Sequence, residues 1–414
     1  MGWLGAPAHA RWLAAEADAL LAFARAAAVP EGFGHLDAEG VVDPEQPVEL
    51  WVTCRMTHSF ALGTLLDVPG YGALADHGLT ALATHFRDGE HGGWFSAVGA
   101  GGPRNDAKEA YAHAFVILAG ASAAAAGRPG GRELLDEALR VSEAHFWRED
   151  EGAVLESWDR AFTIAEPYRG VNANMHTVEA YLAAADVTGE DVWLERAVRI
   201  TRRVLDGYAR ENRWRIPEHF DESWQPLLDY NSADRAHQFR PFGATVGHWL
   251  EWARLALHAR AALVARGMAA EEWMLESARA LFDRSVSEGW QVDGAPGFVY
   301  TVDFEGRPVV RERMHWVVCE AIGAAAALEL VTGEAQYEQW YQRTWEYAAE
   351  HLIERPGAWR HELSPQNGPS ATTWSGKPDI YHALQTTLIA RLPLSPALAP
   401  ALALGLLDNR HPMP

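Results

Sequence analysis

Hydrophobic and polar residues are arranged along this chain in two kinds of helical segment. One kind has a 3.6-residue period with a charged stripe, as in "DVWLERAVRITRRVLDGYAR". The other kind is rich in Ala and Gly and nearly uncharged after its first turn, which is typical of a helix buried on all sides. The charged, amphipathic kind is predicted over six ranges: 11–27, 73–86, 133–147, 192–209, 271–287 and 335–353.

The apolar segments share one layout and alternate with the amphipathic ones. Each starts with polar or Gly/Pro residues, continues through a histidine and ends in an apolar run, as in "FGATVGHWLEWARL". Twelve helices in six hairpins are therefore predicted. Six apolar helices inside six amphipathic ones form an all-α fold, the (α/α)6 barrel, with residues 1–414 as a single domain and small β-hairpins at 92–98 and 297–310. The six histidines are His58, His113, His176, His248, His315 and His382.

The connections between these helices have unequal lengths. Those that lead from an amphipathic helix to the next apolar one are long, at 155–171, 211–243, 290–312 and 356–378. Long loops in a compact domain are usually functional. We therefore expect the site at the barrel end where these loops, the six histidines and the positive ends of the helix dipoles come together.

Composition narrows the classes of partner. The net charge is −21 and no run of Lys or Arg occurs, so neither nucleic acid nor an anionic membrane surface is an expected partner. No apolar run approaches the ~20 residues that span a bilayer. Two cysteines, Cys54 and Cys319, make no disulfide framework and suit a reducing compartment. We expect a soluble, cytoplasmic protein, a monomer or homo-oligomer, that acts on a small molecule.

The segment around His248 predicts proton-transfer chemistry. An imidazole in the first turn of a helix is biased towards its neutral form, which can accept a proton. Glu251 follows at i+3 and is expected to hold the ring of His248 and its tautomer. The alternative is a polar turn that merely caps the helix, although caps are normally Ser, Thr, Asp or Asn.

No metal and no cofactor are expected. The chain has no H-x-x-x-H pair and no Cys/His cluster with the spacing of metal ligands. It also lacks a Gly-rich phosphate loop of the Walker or dinucleotide type.

Tryptophan is the other unusual feature, with 18 residues. Flat aromatic faces suit the C–H faces of sugars, while filling the barrel core is the alternative. Trp51 and Trp252 lie within helices and are expected in the core. The tryptophans in long loops or at the starts of apolar helices are Trp94, Trp158, Trp224, Trp249, Trp316 and Trp374.

Three segments together resemble a known family. "ELWVTCRMTHSFALG", "PFGATVGHWLEWARL" and "GKPDIYHALQTTLIARLP" resemble signature segments of the N-acylglucosamine 2-epimerase superfamily, in particular its aldose–ketose isomerase branch of mannose and sulfoquinovose isomerases. The resemblance covers essentially the whole chain. It implies an (α/α)6 barrel and metal-independent proton transfer between C1 and C2 of a ring-opened monosaccharide by two histidines.

The resemblance also assigns residues. His382 is implied as the base that moves the proton between C1 and C2, and His248 as its partner in ring opening and acid–base transfer, with Glu251 behind it. Arg55 is implied to polarise the O1/O2 end of the substrate. The implied or expected substrate-binding positions are His176, Gln46, Arg240, Trp316, Trp374, Asn172 and Asp379.

Several functions stay open at this point. The last segment favours an isomerase that interconverts D-mannose, or a close hexose such as a D-lyxose-type sugar, and D-fructose. A sulfoquinovose isomerase would need a cation for the sulfonate, for which Arg235 and Arg240 are the candidates. A sugar 2-epimerase, a non-catalytic sugar-binding barrel and a glycoside hydrolase are the remaining alternatives. The hydrolase would need two facing carboxylates, and the available ones are Asp106, Glu179, Glu218 and Glu320.

Overall fold

The computed structural model describes residues 2–410, in which two concentric rings of helices form the predicted (α/α)6 barrel. The inner helices are α2 (Leu50–Leu65), α4 (Ala110–Ala125), α6 (Val171–Thr188), α8 (Val246–Ala265), α10 (His315–Thr332) and α12 (Tyr381–Ile389). The outer helices are α1 (Pro7–Ala24), α3 (Tyr71–Thr84), α5 (Gly131–Val141), α7 (Asp191–Thr201), α9 (Glu272–Gly289) and α11 (Ala335–Tyr347). Each inner helix contacts the next one around the ring, and α12 contacts α2, so the ring is closed.

Packing explains why the two kinds of sequence separate. The inner helices lie inside the outer ring, and 13 of the 16 residues of α4 and 13 of the 18 residues of α10 are buried. Small Ala and Gly side chains let such helices approach closely, as at Gly120, where a Cβ would lie 2.8 Å from the backbone nitrogen of Leu135. The outer helices bury one stripe and expose the other. The predicted ranges of the outer helices agree well with the observed ones. The largest difference in a helix start is at α1, which is predicted from residue 11 and begins at Pro7.

Two features at the ends of helices were not predicted. Three outer helices continue into a wider π-helical turn, at Ser142–Phe146, Arg202–Ala209 and Ala348–Leu352. A thirteenth helix, α13 (Leu398–Ala403), follows α12 and packs against α2, α4 and α6. It covers part of the inner ring that the six hairpins alone would leave open.

Short strands tie the loops to the starts of the inner helices. Strands of two or three residues directly precede five inner helices and pair antiparallel with a strand of the next connection around the ring. These pairs are Val48–Glu49 with Ala97–Gly99, Lys108–Glu109 with Ser157–Trp158, Tyr168–Gly170 with His219–Asp221, Ala244–Thr245 with Thr301–Val302, and Arg313–Met314 with Glu362–Leu363. Gly102–Asn105 extends the first pair, and hairpins form at Ala28–Val29 with Gly32–Phe33, Trp147–Arg148 with Ala153–Val154, and Ile353–Arg355 with Ala358–Trp359.

This pairing repeats at the level of single hydrogen bonds. The first N–H of each of these five helices donates to a carbonyl in the next connection, at 2.8 to 3.1 Å. The accepting residues are Ser96, Glu156, Glu218, Tyr300 and His361. The repeat satisfies one backbone donor that a helix start leaves unpaired, and it carries each accepting residue to the mouth of the barrel.

One inner helix is apolar enough to cross a membrane. By length and composition alone His315–Thr332 meets that test, but 72% of the segment is buried inside the barrel. Its hydropathy is what a helix surrounded by protein on all sides requires.

Candidate active site

A cavity opens at the end of the barrel where the inner helices begin. With its mouth and the solvent in it, the cavity encloses about 630 Å³ of empty space, and polar and aromatic side chains line it. Two of the long connections form its rim, one through Gln238, Phe239 and Pro241, and the other through Trp374 and Pro378. The structure therefore places this cavity at the predicted end of the barrel.

The inner helices present their side chains to this cavity in layers. Counted from the first residue of each helix, the second positions form an upper layer of Trp51, Tyr111, Asn172, Gly247, Trp316 and His382. The sixth positions form a middle layer of Arg55, Phe115, His176, Glu251, Glu320 and Thr386. Positions two and six are separated by four residues and lie on the same helix face. Five of the six upper-layer residues, all except Gly247, and three of the middle layer line the cavity.

His248 and His382 are each held from behind by a carboxylate. Nδ1 of His248 donates to Oε2 of Glu218 at 2.9 Å, and Nδ1 of His382 donates to Oε1 of Glu320 at 3.1 Å. In each ring this contact leaves Nε2 as the nitrogen without a partner among the described residues, and both rings line the cavity. A neutral imidazole with a hydrogen-bonded Nδ1–H has its lone pair on Nε2, which is the arrangement of a general base.

Burial favours that neutral form at His382. Burial first, and then the nearby Arg55 and His315, lower the pKa of His382 well below its ordinary value. His382 is therefore a base and not a cation at neutral pH.

The predicted contact between Glu251 and His248 is wrong. Glu251 points towards the neighbouring helix α6, where its Oε1 lies 3.7 Å from Nδ1 of His176. Glu218 reaches His248 instead because it ends the loop before the strand His219–Asp221, and its other oxygen accepts the N–H of Thr245 at 3.2 Å. Burial first, and then the charge of Glu320, raise the pKa of Glu251 well above its ordinary value, which favours the protonated carboxyl.

Arg55 is a fixed cation at the cavity wall. Its guanidinium lies 3.3 Å from Asp379 and donates to the hydroxyl of Tyr111 at 3.0 Å. It also lies over the rings of Phe115 and Tyr381, at 4.4 and 4.6 Å from their centroids. Burial alone would lower the pKa of Arg55, but these neighbours raise it, so the charge is retained inside the protein.

Trp316 joins the two carboxylate-held histidines. Its ring centroid lies 5.3 Å from that of His248 and 5.8 Å from that of His382. Gly247 makes this possible, because a Cβ there would lie 2.6 Å from Cη2 of Trp316 and closer still to Cζ3. Trp316 therefore forms the wall between the two histidines.

The other tryptophans divide differently from the prediction. Trp374 lines the cavity, and its loop is held by Glu362, whose Oε2 accepts the N–H of Trp374 at 2.7 Å. Trp51, which was expected in the core, also lines the cavity, because it is the second residue of α2 and not in its interior. Trp252 is fully buried, as predicted. Four loop or helix-start tryptophans lie outside the cavity lining: Trp94, Trp158, Trp224 and Trp249.

Two of the six histidines do not reach the cavity. His58 is the ninth residue of α2 and bonds the hydroxyl of Ser122 in the barrel interior at 2.7 Å, so its expected place at the loop-bearing end of the barrel is wrong. His113 does lie in the first turn of α4. Its Nδ1 donates to the Glu109 carbonyl and its Nε2 accepts the Trp94 N–H, which makes it a structural residue.

Among the expected substrate-binding residues, His176, Asn172, Asp379, Trp316 and Trp374 line the cavity. Two further expected residues, Gln46 and Arg240, do not.

Gln46 is exposed and lies in a turn, where its N–H donates to the Asp43 carbonyl. Helix α2 begins only at Leu50, so Gln46 is not carried to the cavity by that helix. Arg240 points away from the cavity and binds both carboxylate oxygens of Glu166 at 2.7 and 2.9 Å. Arg235 is exposed to solvent.

The structure adds residues to the site that the sequence did not indicate. His361 lies in the last long connection and stacks on His315 with the ring centroids 3.8 Å apart. Nδ1 of His315 donates to the carbonyl of His361 at 3.3 Å. Burial lowers the pKa of His315 to about 4, so it too is neutral. His361 occupies the same loop position as Ser96, Glu156, Glu218 and Tyr300, whose carbonyls also accept the first N–H of an inner helix. This equivalent position is the signal by which His361 could have been found.

One cluster has the spacing of cation ligands. Donor atoms of His176, Glu179 and Glu251 all lie within 4.8 Å of one another. Arg254 lies against the same carboxylates, with Nη2 at 3.6 Å from Oε1 of Glu251, and Tyr381 donates to Glu179. A guanidinium fixed in the barrel already supplies positive charge there, so we do not assign a metal to this cluster.

An (α/α)6 barrel whose cavity holds neutral histidines, a fixed guanidinium and aromatic walls defines the class of barrel enzymes that move protons on small polar substrates. Residues 32–386 match the N-acylglucosamine 2-epimerase (GlcNAc 2-epimerase) family, and the chain belongs to it.

Named relatives agree with this membership. The chain is 54% identical to a D-mannose isomerase of Thermobifida fusca, over 97% of this chain and 98% of the relative. It is 50% identical to a D-mannose isomerase of Pseudomonas cannabina pv. alisalensis, over 97% of each chain. A crystal structure of a D-mannose isomerase superposes with a TM-score of 0.86 at 28% identity, covering 93% of this chain and 99% of the other.

Proposed function

We propose that this protein is an aldose–ketose isomerase that interconverts D-mannose and D-fructose. The observation that carries the proposal is the pair His248 and His382. Each is held through Nδ1 by a carboxylate, each lines the same cavity, and Trp316 stands between them. The relatives at 50% identity or more that are named D-mannose isomerases support the choice of sugar.

The reaction needs one proton to move between adjacent carbons. With the sugar ring open, a histidine takes the proton from C2 while O1 gains a proton, which gives a cis-enediol(ate). O2 then loses its proton, and the histidine returns a proton to C1 to give the ketose. We propose His382 as the base at C2 and C1, and His248 as the acid–base partner at the oxygens.

Arg55 supplies the positive charge that the intermediate requires. The enediolate oxygen is negative, and a guanidinium that is already oriented stabilises it better than water, which would have to reorganise. Asp379 and Tyr111 hold the Arg55 plane, and the surrounding rings exclude solvent. This chemistry does not require a metal, and we propose that activity survives dialysis against a chelator.

The cavity favours a neutral hexose over a sulfonated one. Arg55 is the one Lys or Arg among the described residues that line it, and Asp379 already pairs with that guanidinium. Arg240 is neutralised by Glu166 outside the cavity. A sulfonate would therefore enter without a cation to balance it, so we propose mannose over sulfoquinovose.

The carboxylates offer little support for glycoside hydrolysis. Three of the four considered for that chemistry are engaged: Glu218 with His248, Glu320 with His382 and Arg254, and Glu179 with Tyr381 and Gln385. The fourth, Asp106, is exposed outside the cavity. A hydrolase needs one free acid and one free base across the scissile bond.

A sugar panel tests the proposal. The purified protein is incubated separately with D-mannose, D-lyxose, sulfoquinovose and a mannoside, and ketose formation and release of reducing ends are measured. We expect D-fructose from mannose, and loss of that activity in His382→Asn and His248→Asn. Ketose only from sulfoquinovose, an epimeric aldose as the sole product, or release of a reducing end from the mannoside would overturn it.

We also propose that the protein acts in the cytoplasm. Cys54 and Cys319 are both free and buried, which fits a reducing compartment. Cell fractionation followed by immunodetection tests this assignment, and recovery outside the cytoplasmic fraction would contradict it.

A further inference from the structure

Below the cavity, the ninth residues of the inner helices form a third layer, and Arg254 is the one arginine in it. Arg254 is the ninth residue of α8, and its side chain is 3% exposed. Its Nε donates to Oε2 of Glu320 at 2.8 Å, and its Nη2 lies 3.6 Å from Oε1 of Glu251. Arg254 itself does not line the cavity, whereas Glu251 does.

The same two carboxylates also contact cavity histidines, Glu320 through its other oxygen and Glu251 through the oxygen that faces Arg254. Glu320 accepts from Nδ1 of His382 through Oε1, while Oε1 of Glu251 lies 3.7 Å from Nδ1 of His176. Arg254 is thus linked to His382 through Glu320, and to His176 through Glu251. It links two histidines that come from different helices.

The fold makes room for this arginine. The ninth residue of α10 is Gly323, and a Cβ there would lie 3.0 Å from Cδ of Arg254. A larger residue would push against the arginine stem where it passes between the helices. The glycine therefore allows Arg254 to reach Glu320 on the neighbouring helix α10.

The charges around Arg254 do not balance without it. Glu179, Glu251 and Glu320 surround it in the barrel interior, where an uncompensated carboxylate is costly. Burial would lower the pKa of Arg254, but Glu320, Glu179 and Glu251 together raise it, so it stays charged. Without Arg254, this cluster of carboxylates would have to bind additional protons to reduce its negative charge.

We propose that Arg254 is a positioning residue of the isomerisation, which keeps Glu320 ionised so that Glu320 holds His382 with its Nε2 lone pair towards the substrate. A protonated Glu320 would instead donate to Nδ1 and turn Nε2 into a donor, which cannot remove the C2 proton. This assignment rests on the proposed function for its kinetic consequence but not for its structural one.

Other charged groups also act on His382, and Arg254 has to be distinguished from them. Arg55 from α2 and His315 from α10 disfavour a positive charge on His382, while Asp379 favours it. None of these three contacts Arg254 directly. Replacing Arg254 therefore changes the charge behind Glu320 and beside Glu251, and removes no contact of Arg55, His315 or Asp379.

The kinetic test compares pH profiles of kcat/KM for mannose. Arg254→Met and Arg254→Gln remove the charge, and Arg254→Lys keeps it. We expect the acid limb of the profile to move up by about one to two pH units in the two neutral variants, which is the effect of losing one neighbouring charge inside a protein. Activity should recover at high pH, and Arg254→Lys should lie near the wild type.

A matched control separates charge from packing. Arg196 is another buried arginine, paired with Glu143 at 2.8 Å far from the cavity histidines. Arg196→Met should lower stability without moving the acid limb. A pH-independent loss of activity in the neutral Arg254 variants, or the same shift in Arg254→Lys or Arg196→Met, would overturn the proposal. If Arg254→Met does not fold, Arg254→Gln, which retains a donor for Glu320, decides the result.

A second measurement needs no substrate and stands even if the protein does not isomerise mannose. Histidine labelled with ¹⁵N reports which ring nitrogen carries the proton, and His382→Asn identifies the signal of His382. We expect Nε2 of His382 to be unprotonated at pH 7 in the wild type and protonated in Arg254→Gln. An unchanged tautomer in Arg254→Gln would overturn the proposal, whatever the sugar proves to be.

Discussion

A single methyl group at Gly247 should disable the site without touching a titratable residue. Gly247 precedes His248, and a Cβ there would lie 2.6 Å from Cη2 of Trp316 and 2.7 Å from Cγ2 of Val317. Ordinary contact begins at 3.4 Å, so the ring of Trp316 has to move by about 1 Å. Because Trp316 stands between His248 and His382, both histidines lose their common wall.

The size of the effect follows from that displacement. A misplacement of about 1 Å in an active site can cost about 10²-fold in rate, and overpacking costs about 1–3 kcal/mol of stability. We expect Gly247→Ala to lower kcat/KM for mannose by about 10²-fold, with a modest drop in Tm. Steady-state ketose formation and thermal unfolding measure the two effects.

The matched control is Gly207, also in a helical segment. The nearest atom to a Cβ at Gly207 is the Arg202 carbonyl oxygen at 3.9 Å, so Gly207→Ala meets no clash. It should leave kcat/KM unchanged and raise stability slightly, by about 0.5–1 kcal/mol. Wild-type kcat/KM in a folded Gly247→Ala variant would refute the reasoning that Trp316 organises the two histidines.

Three further predictions follow from the site. Glu218→Gln should lower kcat by about 10²- to 10⁴-fold, because an amide can donate to Nδ1 and impose the wrong tautomer on His248. The control Glu222→Gln, at the exposed surface, should leave kcat unchanged. Equal effects of the two substitutions would contradict the role of Glu218 in holding His248. Arg55→Lys keeps the charge but loses the planar fork that bonds Asp379, so kcat/KM should fall about 10²-fold, and full activity would show that charge alone suffices. Tm should fall as the pH drops from about 6.5 towards 4, because the unfolded chain binds protons that the folded chain excludes, at up to about 1.4 kcal/mol per pH unit for each such histidine; a Tm that rises over this range would refute it. Burial lowers the pKa of these histidines to between about 3 and about 4: His58, His113, His176, His258 and His315.

The barrel itself could be predicted because its signal is local and repeated. A helix buried on all sides and a helix buried on one stripe differ in every turn, and six copies of each leave little choice of fold. The lengths of the connections then identified the functional end. The start of an apolar helix drew attention to His248, whereas His382 was distinguished from the other histidines by the family resemblance.

The partners of these histidines could not be predicted because they come from distant parts of the chain. Glu218 lies in a loop 30 residues before His248, and Glu320 lies on α10, 62 residues before His382. Local spacing suggested Glu251 for His248, but the geometry of the closed ring turns Glu251 towards α6.

Small shifts in helix starts account for other differences. Trp51 lines the cavity because α2 begins at Leu50, one residue before it, and Gln46 stays in the preceding turn for the same reason. A comparison of the loops with one another would have pointed to Glu218 and His361 as candidate site residues. Both occupy the loop position whose backbone carbonyl accepts the first N–H of an inner helix.

The most direct test of the account is the fate of the migrating proton. Mannose is converted in D₂O, and the product is analysed by NMR at low conversion for deuterium at C1. Proton transfer by histidines predicts D-fructose with solvent deuterium on one face of C1, and no such product from His382→Asn. No fructose at all, or fructose formed by His382→Asn at the wild-type rate, would contradict it.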